Sequence, residues 1–107
     1  MAEIIQGTTP CLEIKIPDDI PLSEITDLNV DIYQGDLVID KGMNDVFFDS
    51  DTNLMYIPLT EEETLSFSAT VANVQMRYMV EGVDAILGTN PYPFRIIPLR
   101  VHKKFYE

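Results

Sequence analysis

The residues best suited to covalent chemistry are one cysteine and one histidine. Cys11 and His102 are each unique in the sequence, so a Cys–His pair would need both and a Ser–His–acid triad would need His102. A nucleophile also requires a base that a third group orients. Cys11 lies in an alternating polar and apolar segment, His102 is followed by Lys103 and Lys104, and no Gly-x-Ser-x-Gly elbow occurs. The sequence therefore predicts a protein that is not an enzyme and has no catalytic residues.

One segment resembles the opening of a calcium-binding loop. Asp49-Ser50-Asp51-Thr52-Asn53 has the D-x-D-x-N spacing, but Leu54 stands where the loop needs glycine and Thr60 where it needs glutamate. The segment lies between two strand-like runs, and Asp and Asn are common turn residues. We interpret it as a polar hairpin turn, with a weak surface calcium site as the alternative. Zinc is not supported, since one Cys and one His would leave two carboxylates to complete the site.

The acidic residues and glycines also lack the context that catalysis or nucleotide binding needs. With 18 Asp and Glu residues, some carboxylate pair falls by chance at the separation that glycosidases use. The chain has no Trp, and a small domain with short turns offers little cleft. The glycines are isolated, and Gly35 and Gly82 are interpreted as hairpin glycines. We therefore predict no metal-binding residues, no cofactor-binding residues and no cofactor.

Length and charge restrict the class of protein and its partners. The 107 residues, 46% of them hydrophobic, suit one domain spanning 1–107 with one core. The net charge of -11 disfavours nucleic acids and anionic membranes, which bind basic surfaces. The acidity favours solubility, and a partner with a basic face is the alternative interpretation.

The number of cysteines and the hydropathy of the chain indicate the cellular compartment of the protein. A single cysteine forms no intramolecular disulfide, which fits a reducing compartment. Residues 1–10 lack the basic and apolar regions of a signal peptide, and no apolar run approaches the ~20 residues of a membrane span. We expect a cytoplasmic protein without a signal peptide.

Alternation with period two dominates the chain and predicts half-buried strands. The longest case is 71–80, where Ala72, Val74, Met76, Tyr78 and Val80 share one face. Shorter runs with the same pattern, or bounded by turn residues, lie at 9–17, 28–33, 37–40, 46–49, 54–59, 85–88 and 94–102. Strands of this length and spacing predict an all-β protein with a mainly antiparallel sandwich or barrel of seven to nine short strands.

Three segments modify this pattern. Residues 19–27 are expected to form a loop with one helical turn. Thr60 and Glu63 have the spacing of a capping box, which predicts a short helical turn near residues 60–66. Pro98 cannot donate a ladder hydrogen bond, so the last strand is expected at a sheet edge or bulged there.

The final residues combine positive charge with aromatic side chains. Phe105 and Tyr106 follow Lys103 and Lys104. Aromatic side chains at a terminus can anchor a partner. They can equally fold back over an open sheet edge, and the sequence leaves both arrangements open. Sheets that are not closed also have edge strands that can pair with another chain.

Several segments together suggest a family. The residues that carry the resemblance are Ile5-Gln6-Gly7-Thr8-Thr9-Pro10, Asp31-Ile32-Tyr33-Gln34-Gly35, Ile57 to Leu65 and Val74-Gln75-Met76-Arg77-Tyr78. Their order resembles small proteins encoded by phages and prophages of Gram-positive bacteria, which are similar to N-terminal domains of phage baseplate proteins. The resemblance spans most of the chain and departs after Gly88.

The resemblance implies an immunoglobulin-like β-sandwich and a structural or assembly role in a phage tail, baseplate or neck. The implied partners are other phage structural proteins or further copies of the chain in a homo-oligomer, with neither nucleic acid nor membrane. The implied location is the host cytoplasm during assembly, with the virion as a further destination. Two alternatives remain: a module that binds a small ligand, calcium or carbohydrate, and an acidic inhibitor of a host protein.

Overall fold

The computed structural model describes residues 2–16, 19–20 and 22–99. Nine strands lie in these residues, within the predicted range of seven to nine. The strands are β1 (Ala2–Ile5), β2 (Cys11–Lys15), β3 (Ile25–Gln34), β4 (Leu37–Gly42), β5 (Phe47–Asp49), β6 (Leu54–Pro58), β7 (Val71–Val80), β8 (Leu87–Gly88) and β9 (Tyr92–Ile97). One α-helix, α1 (Glu61–Ser66), and two 3-10 turns, Leu22–Glu24 and Met43–Asp45, complete the elements. No helix among the described residues has the length and apolar character to cross a bilayer.

The strands form a large and a small sheet. The large sheet has the order β1-β9-β7-β3-β4, with β8 beside the second half of β7, and the small sheet has the order β2-β6-β5. All pairs are antiparallel except β1 with β9, a parallel pair that the sequence did not indicate. The two sheets of mainly antiparallel strands are those of a β-sandwich.

The core lies between the inner faces of the two sheets. In β7, Ala72, Val74, Met76 and Tyr78 are buried, as the alternation predicts. From the small sheet, Met55 and Ile57 are fully buried. Each large apolar side chain contributes about 1.5–3 kcal/mol when removed from water. The predicted all-β sandwich is therefore confirmed.

The helix α1 begins at the predicted capping box. The Thr60 hydroxyl accepts from the Glu63 amide at 3.1 Å, and the Glu63 carboxylate accepts from the Thr60 amide at 2.8 Å. Glu63 also binds the Lys41 ammonium at 2.9 Å. Burial opposes ionisation of Glu63, but the bonds from Lys41 and Thr60 outweigh it and lower its pKa. The Lys41 side chain lies on the inner side of edge strand β4. An inward-pointing charge on an edge strand discourages pairing with another chain.

Three details of the sequence prediction need correction. Residues 19–27 are not all loop, because β3 begins at Ile25 and a register shift before Asp27 interrupts its alternation. The expectation that Pro98 places the last strand at an edge is wrong: β9 lies between β1 and β7 and ends at Ile97, before the proline. The strand β1 was not predicted, since it has four residues and only Ile4 is buried.

The predicted extension of the last strand to residue 102 lies partly outside the described residues, which end at 99.

The connection between β1 and β2 packs against α1 through buried hydrogen bonds. Gln6 is 4% exposed, and its side chain donates to the Phe67 carbonyl at 2.6 Å and accepts from the Leu99 amide at 3.0 Å. The hydroxyl of fully buried Thr64 accepts from the Gly7 amide at 2.9 Å and lies 2.9 Å from the Thr8 carbonyl. Residues 6–8 and Thr64 are called the corner below. Two of the segments that carry the family resemblance therefore meet in a structural contact.

Candidate functional site

The only cysteine lies on the surface of the small sheet. Cys11 is exposed at the start of edge strand β2, and its side chain alternates with the buried Leu12 and Ile14. His102, the other member of the only available Cys–His pair, lies outside the described residues, as do Lys103 and Lys104. The interpretation that Cys11 and His102 do not form a catalytic pair therefore stays a prediction from the sequence.

The segment with calcium-loop spacing forms the turn between β5 and β6, as its polar hairpin interpretation predicts. The Asp49 carboxylate accepts from the Asp51 amide at 3.0 Å, which closes the turn. Asn53 adopts φ +56°, and its side-chain amide donates to the Ile16 carbonyl at 2.5 Å. Within 2–16, 19–20 and 22–99, no three His, Cys, Asp or Glu residues group as metal ligands. The turn residues are thus accounted for by the hairpin itself.

The outer face of the large sheet carries a shallow depression. It has a volume of about 160 Å³ and lies between the second half of β7 and the first half of β3. In the register of these antiparallel strands, Asn29 is opposite Arg77 and Asp27 is opposite Met79. Ile86, which precedes β8, also lines the depression, together with Leu28 and Tyr78 of the two strands. The five residues Asp27, Asn29, Arg77, Met79 and Ile86, called the β3–β7 depression below, combine two apolar side chains with both signs of charge.

Two apolar side chains in the β3–β7 depression are open to solvent. Ile86 is 69% exposed and Met79 is 42% exposed. Exposed apolar side chains rimmed by polar groups are typical of protein-binding sites, where the apolar centre is buried on association. The depression is shallow and open, so it suits a protruding side chain of a partner protein better than an enclosed small ligand.

Next to the depression, two carboxylates face each other across neighbouring strands. Asp31 on β3 is directly opposite Asp40 on β4, and the side-chain amide of Asn29 donates to Asp40. Partial burial raises the pKa of Asp31, its hydrogen bond with Asp40 and the negative charge of Asp40 raise it further, and Arg77 opposes this. Like charges directly opposite in a sheet are destabilising, so a positive group from a partner would relieve repulsion here.

Replacing Asp31 with asparagine is expected to stabilise the protein at neutral pH by about 0.5–1 kcal/mol, since it removes this repulsion. A raised folded-state pKa means that the charged form is disfavoured by folding. The free-energy cost of an ionised Asp31 in the folded protein is therefore present at neutral pH. It disappears as the pH falls through the raised pKa toward the ordinary value of 3.8, because Asp31 is then protonated. Urea unfolding at pH 7 and at pH 3.5 measures both effects.

Asp84→Asn is the matched control for Asp31→Asn, because it removes the same charge from an exposed position in the β7–β8 connection. It is expected to change the free energy of unfolding by less than about 0.5 kcal/mol at either pH. Equal stabilisation by the two substitutions would mean that overall charge, and not the contact with Asp40, sets the effect.

The sequence contained a signal for the carboxylate pair that the motif analysis did not use. The turn at Gly35 and Asp36 has two residues, so Gln34 pairs with Leu37. Counting back along both strands from that pair places Asp31 opposite Asp40. The depression could not be found in this way, because Ile86 reaches it from the irregular connection that follows β7.

Two comparisons, with protein-family models and with curated proteins, find no match for this chain. The function is therefore inferred from the residues and their geometry, together with the resemblance described above.

Proposed function

We propose that this protein is a non-enzymatic structural or assembly component of a phage or prophage particle, in the tail, baseplate or neck, and that it acts through protein–protein contacts. The observation that carries the contact role is the exposure of Ile86 and Met79 beside Asp27 and Arg77 on a sheet face. The particle itself is supported by the family resemblance of residues 5–10, 31–35, 57–65 and 74–78.

The chemistry of the β3–β7 depression defines the partner. An apolar side chain of the partner would pack against Met79 and Ile86, while Lys or Arg residues beside it would approach Asp27, Asp31 and Asp40. Such an apolar centre with a charged rim is the usual anatomy of a protein interface. The opposite charges also accelerate encounter, which matters when many components assemble. The partner is therefore a phage structural protein with a basic rim around an apolar projection.

The layout of the remaining acids does not favour the inhibitor alternative. Exposed acidic residues occur on strands of both sheets, in turns and on the helix, at Glu3, Glu13, Asp36, Asp51, Glu62 and Asp84. A mimic of nucleic acid needs its carboxylates on one face, because the basic site that it occupies is a continuous surface. The scattered layout supports solubility as the main effect of the net charge.

The test is co-expression with the structural proteins encoded beside this chain. The wild type is expected to elute with one of them from a size-exclusion column at micromolar concentration. The double variant Met79→Glu/Ile86→Glu is expected to bind at least ~30-fold more weakly, because apolar contacts at an interface centre contribute about 2 kcal/mol or more.

Phe47→Glu provides the matched control for the binding test. Phe47 is 64% exposed on the small sheet, so the same type of substitution is made on the opposite face. This variant should bind like the wild type. Failure of every neighbouring structural protein to bind the wild type would contradict the proposed role, and unchanged binding by the double variant would contradict the proposed surface.

A further inference from the structure

The strand β2 lies at an edge of the small sheet, and its backbone groups alternate in direction. In an antiparallel ladder, residue pairs that exchange two hydrogen bonds alternate with pairs that exchange none. The Ile16 amide donates to the Asn53 carbonyl at 2.9 Å, in continuation of the β2–β6 register. The even-numbered residues of β2 therefore direct their N–H and C=O groups toward β6. Pro58, which has no amide hydrogen, accordingly lies opposite Cys11 in a pair of the other kind.

The odd-numbered residues of β2 have the opposite arrangement. Cys11, Glu13 and Lys15 direct their side chains toward solvent and their N–H and C=O groups away from β6, toward the edge of the sheet. In the part of the chain that the structure describes, β2 pairs with β6 alone. Such a row of backbone groups is a template for pairing with a further strand.

Two other edge strands are protected against such pairing. The strand β4 carries Lys41 on its inner side, bound to Glu63 at 2.9 Å, and β5 has only three residues. An inward charge and a short strand both discourage pairing with another chain. The inward side chains of β2 are Leu12 and Ile14, which are apolar and buried in the core. The strand β2 therefore has neither form of protection.

The charged side chains of β2 select one register for a second copy. In an antiparallel pair of β2 strands, odd-numbered residues must lie opposite each other, so that the open backbone groups meet and the apolar faces stay on one side. Placing Glu13 opposite Lys15 of the second copy satisfies this condition, and symmetry repeats the pair on the other side of a two-fold axis beside Ile14. The adjacent registers place Glu13 or Lys15 opposite itself, and like charges directly opposite are destabilising.

The surroundings of Lys15 are compatible with this register. The Lys15 side chain has partners within its own chain, among them the Thr52 carbonyl, to which its ammonium donates at 2.8 Å. An ammonium group has three donor hydrogens on a flexible stem, so a carboxylate can join this group. The nearest acid across the small sheet is Asp49, which is separated from Lys15 by Leu54 of β6. Asp49 is thus two strand spacings of about 4.8 Å away, whereas Glu13 of the second copy would be one spacing away.

We propose that two copies of this chain pair through β2 in the antiparallel sense, with Glu13 of each copy opposite Lys15 of the other. The three-stranded sheets of the two copies then form one continuous sheet. Each of the two Glu13–Lys15 pairs exchanges two backbone hydrogen bonds. The contact is small, so we expect a dissociation constant of roughly 10–100 µM. The β3–β7 depression lies on the other sheet and stays open, so the dimer presents it twice.

Sedimentation velocity of the purified chain tests the dimer, independently of any role in a particle. Glu13→Lys and Lys15→Glu each place like charges opposite each other at both pairs, so each is expected to weaken dimerisation at least ~10-fold. The double variant Glu13→Lys/Lys15→Glu restores opposite charges at both pairs and keeps the net charge of -11. Its affinity is therefore expected to return to that of the wild type.

Glu62→Lys is the matched control, because it reverses an exposed acid on the helix α1 and changes the net charge as Glu13→Lys does. It should dimerise at least as well as the wild type. All substituted positions are exposed, and melting curves establish that the variants fold. A wild type that stays monomeric up to about 1 mM, well above the expected dissociation constant, would overturn the dimer. A double variant no better than the single variants would overturn the register.

Hydrogen exchange of the wild type, followed by NMR, distinguishes edge pairing from packing of sheet faces. The Glu13 and Lys15 amides are bonded only across the proposed axis, so their protection should increase with protein concentration. The Leu12 and Ile14 amides bond to β6 in the monomer and in the dimer, so their protection should change much less. Dimerisation without added protection of the Glu13 and Lys15 amides would contradict pairing through β2.

Discussion

Replacing Gly7 with alanine is expected to lower the free energy of unfolding by about 2–3 kcal/mol, because two separate costs act at one residue. Gly7 has φ +76°, and an L-residue in the left-handed region costs about 1–2 kcal/mol. The added Cβ would also lie 2.9 Å from the Leu99 side chain, and overpacking of this kind costs about 1–3 kcal/mol. The bond from its amide to Gln6 holds only the backbone of Leu99, so the side chain can rotate away from the added methyl group and the packing cost lies at the low end of this range.

Gly35→Ala separates the two costs. Gly35 also has positive φ, at +57°, but nothing lies within 4 Å of an added Cβ. The control is expected to cost only the conformational part, about 1–2 kcal/mol. Urea unfolding followed by far-ultraviolet circular dichroism gives both values. Equal destabilisation by the two substitutions would mean that the contact with Leu99 adds nothing.

Replacing Thr64 with valine is expected to destabilise the protein by about 2–3 kcal/mol. Valine keeps the shape of the side chain but removes the hydroxyl that accepts from the Gly7 amide and lies 2.9 Å from the Thr8 carbonyl. Thr64 is fully buried, so water cannot readily replace the lost partner. A buried polar group left without a hydrogen bond costs about 1–3 kcal/mol, and here more than one group is affected.

Thr64→Ser is the matched variant, because it keeps the hydroxyl and removes only a methyl group. It is expected to cost about 1 kcal/mol, the value of one buried methyl. Thermal melting and urea unfolding of both variants test the difference. If serine destabilises the protein as much as valine, packing of the methyl group and not hydrogen bonding at the corner determines stability.

Local patterns predicted those parts of the fold that short segments specify. The alternation in 71–80 identified β7 and its buried face because every second residue enters the core. The Thr60 capping box predicted the start of α1, since both of its hydrogen bonds form within four residues. The glycine at position 35 predicted the hairpin turn, because the turn needs a positive φ.

Contacts between distant segments could not be predicted in the same way. Thr64 and the Gly7 amide are 57 residues apart, and no local pattern relates them. The start of β3 was missed because a register shift breaks the alternation after Ile25. The segments that carry the family resemblance include those that form the corner, but the resemblance does not indicate that their polar residues bind each other.

Local sequence patterns also do not predict which apolar side chains are exposed on the two sheets. In a strand of three residues, the alternation does not say whether Phe47 or Phe48 faces the core, and a shift of one residue reverses the faces. The structure packs Phe48 partly against the core and leaves Phe47 exposed. The apolar side of the β3–β7 depression likewise depends on Ile86, which lies outside any regular strand.

The proposed role requires that this protein binds another protein through the outer face of its large sheet. NMR mapping of amide shifts, when the ¹⁵N-labelled chain binds a structural protein encoded beside it, tests this requirement. We expect the largest shifts at the residues of the β3–β7 depression, Asp27, Asn29, Arg77, Met79 and Ile86. Shifts concentrated on β5 and β6 of the small sheet, with these five residues unchanged, would contradict it.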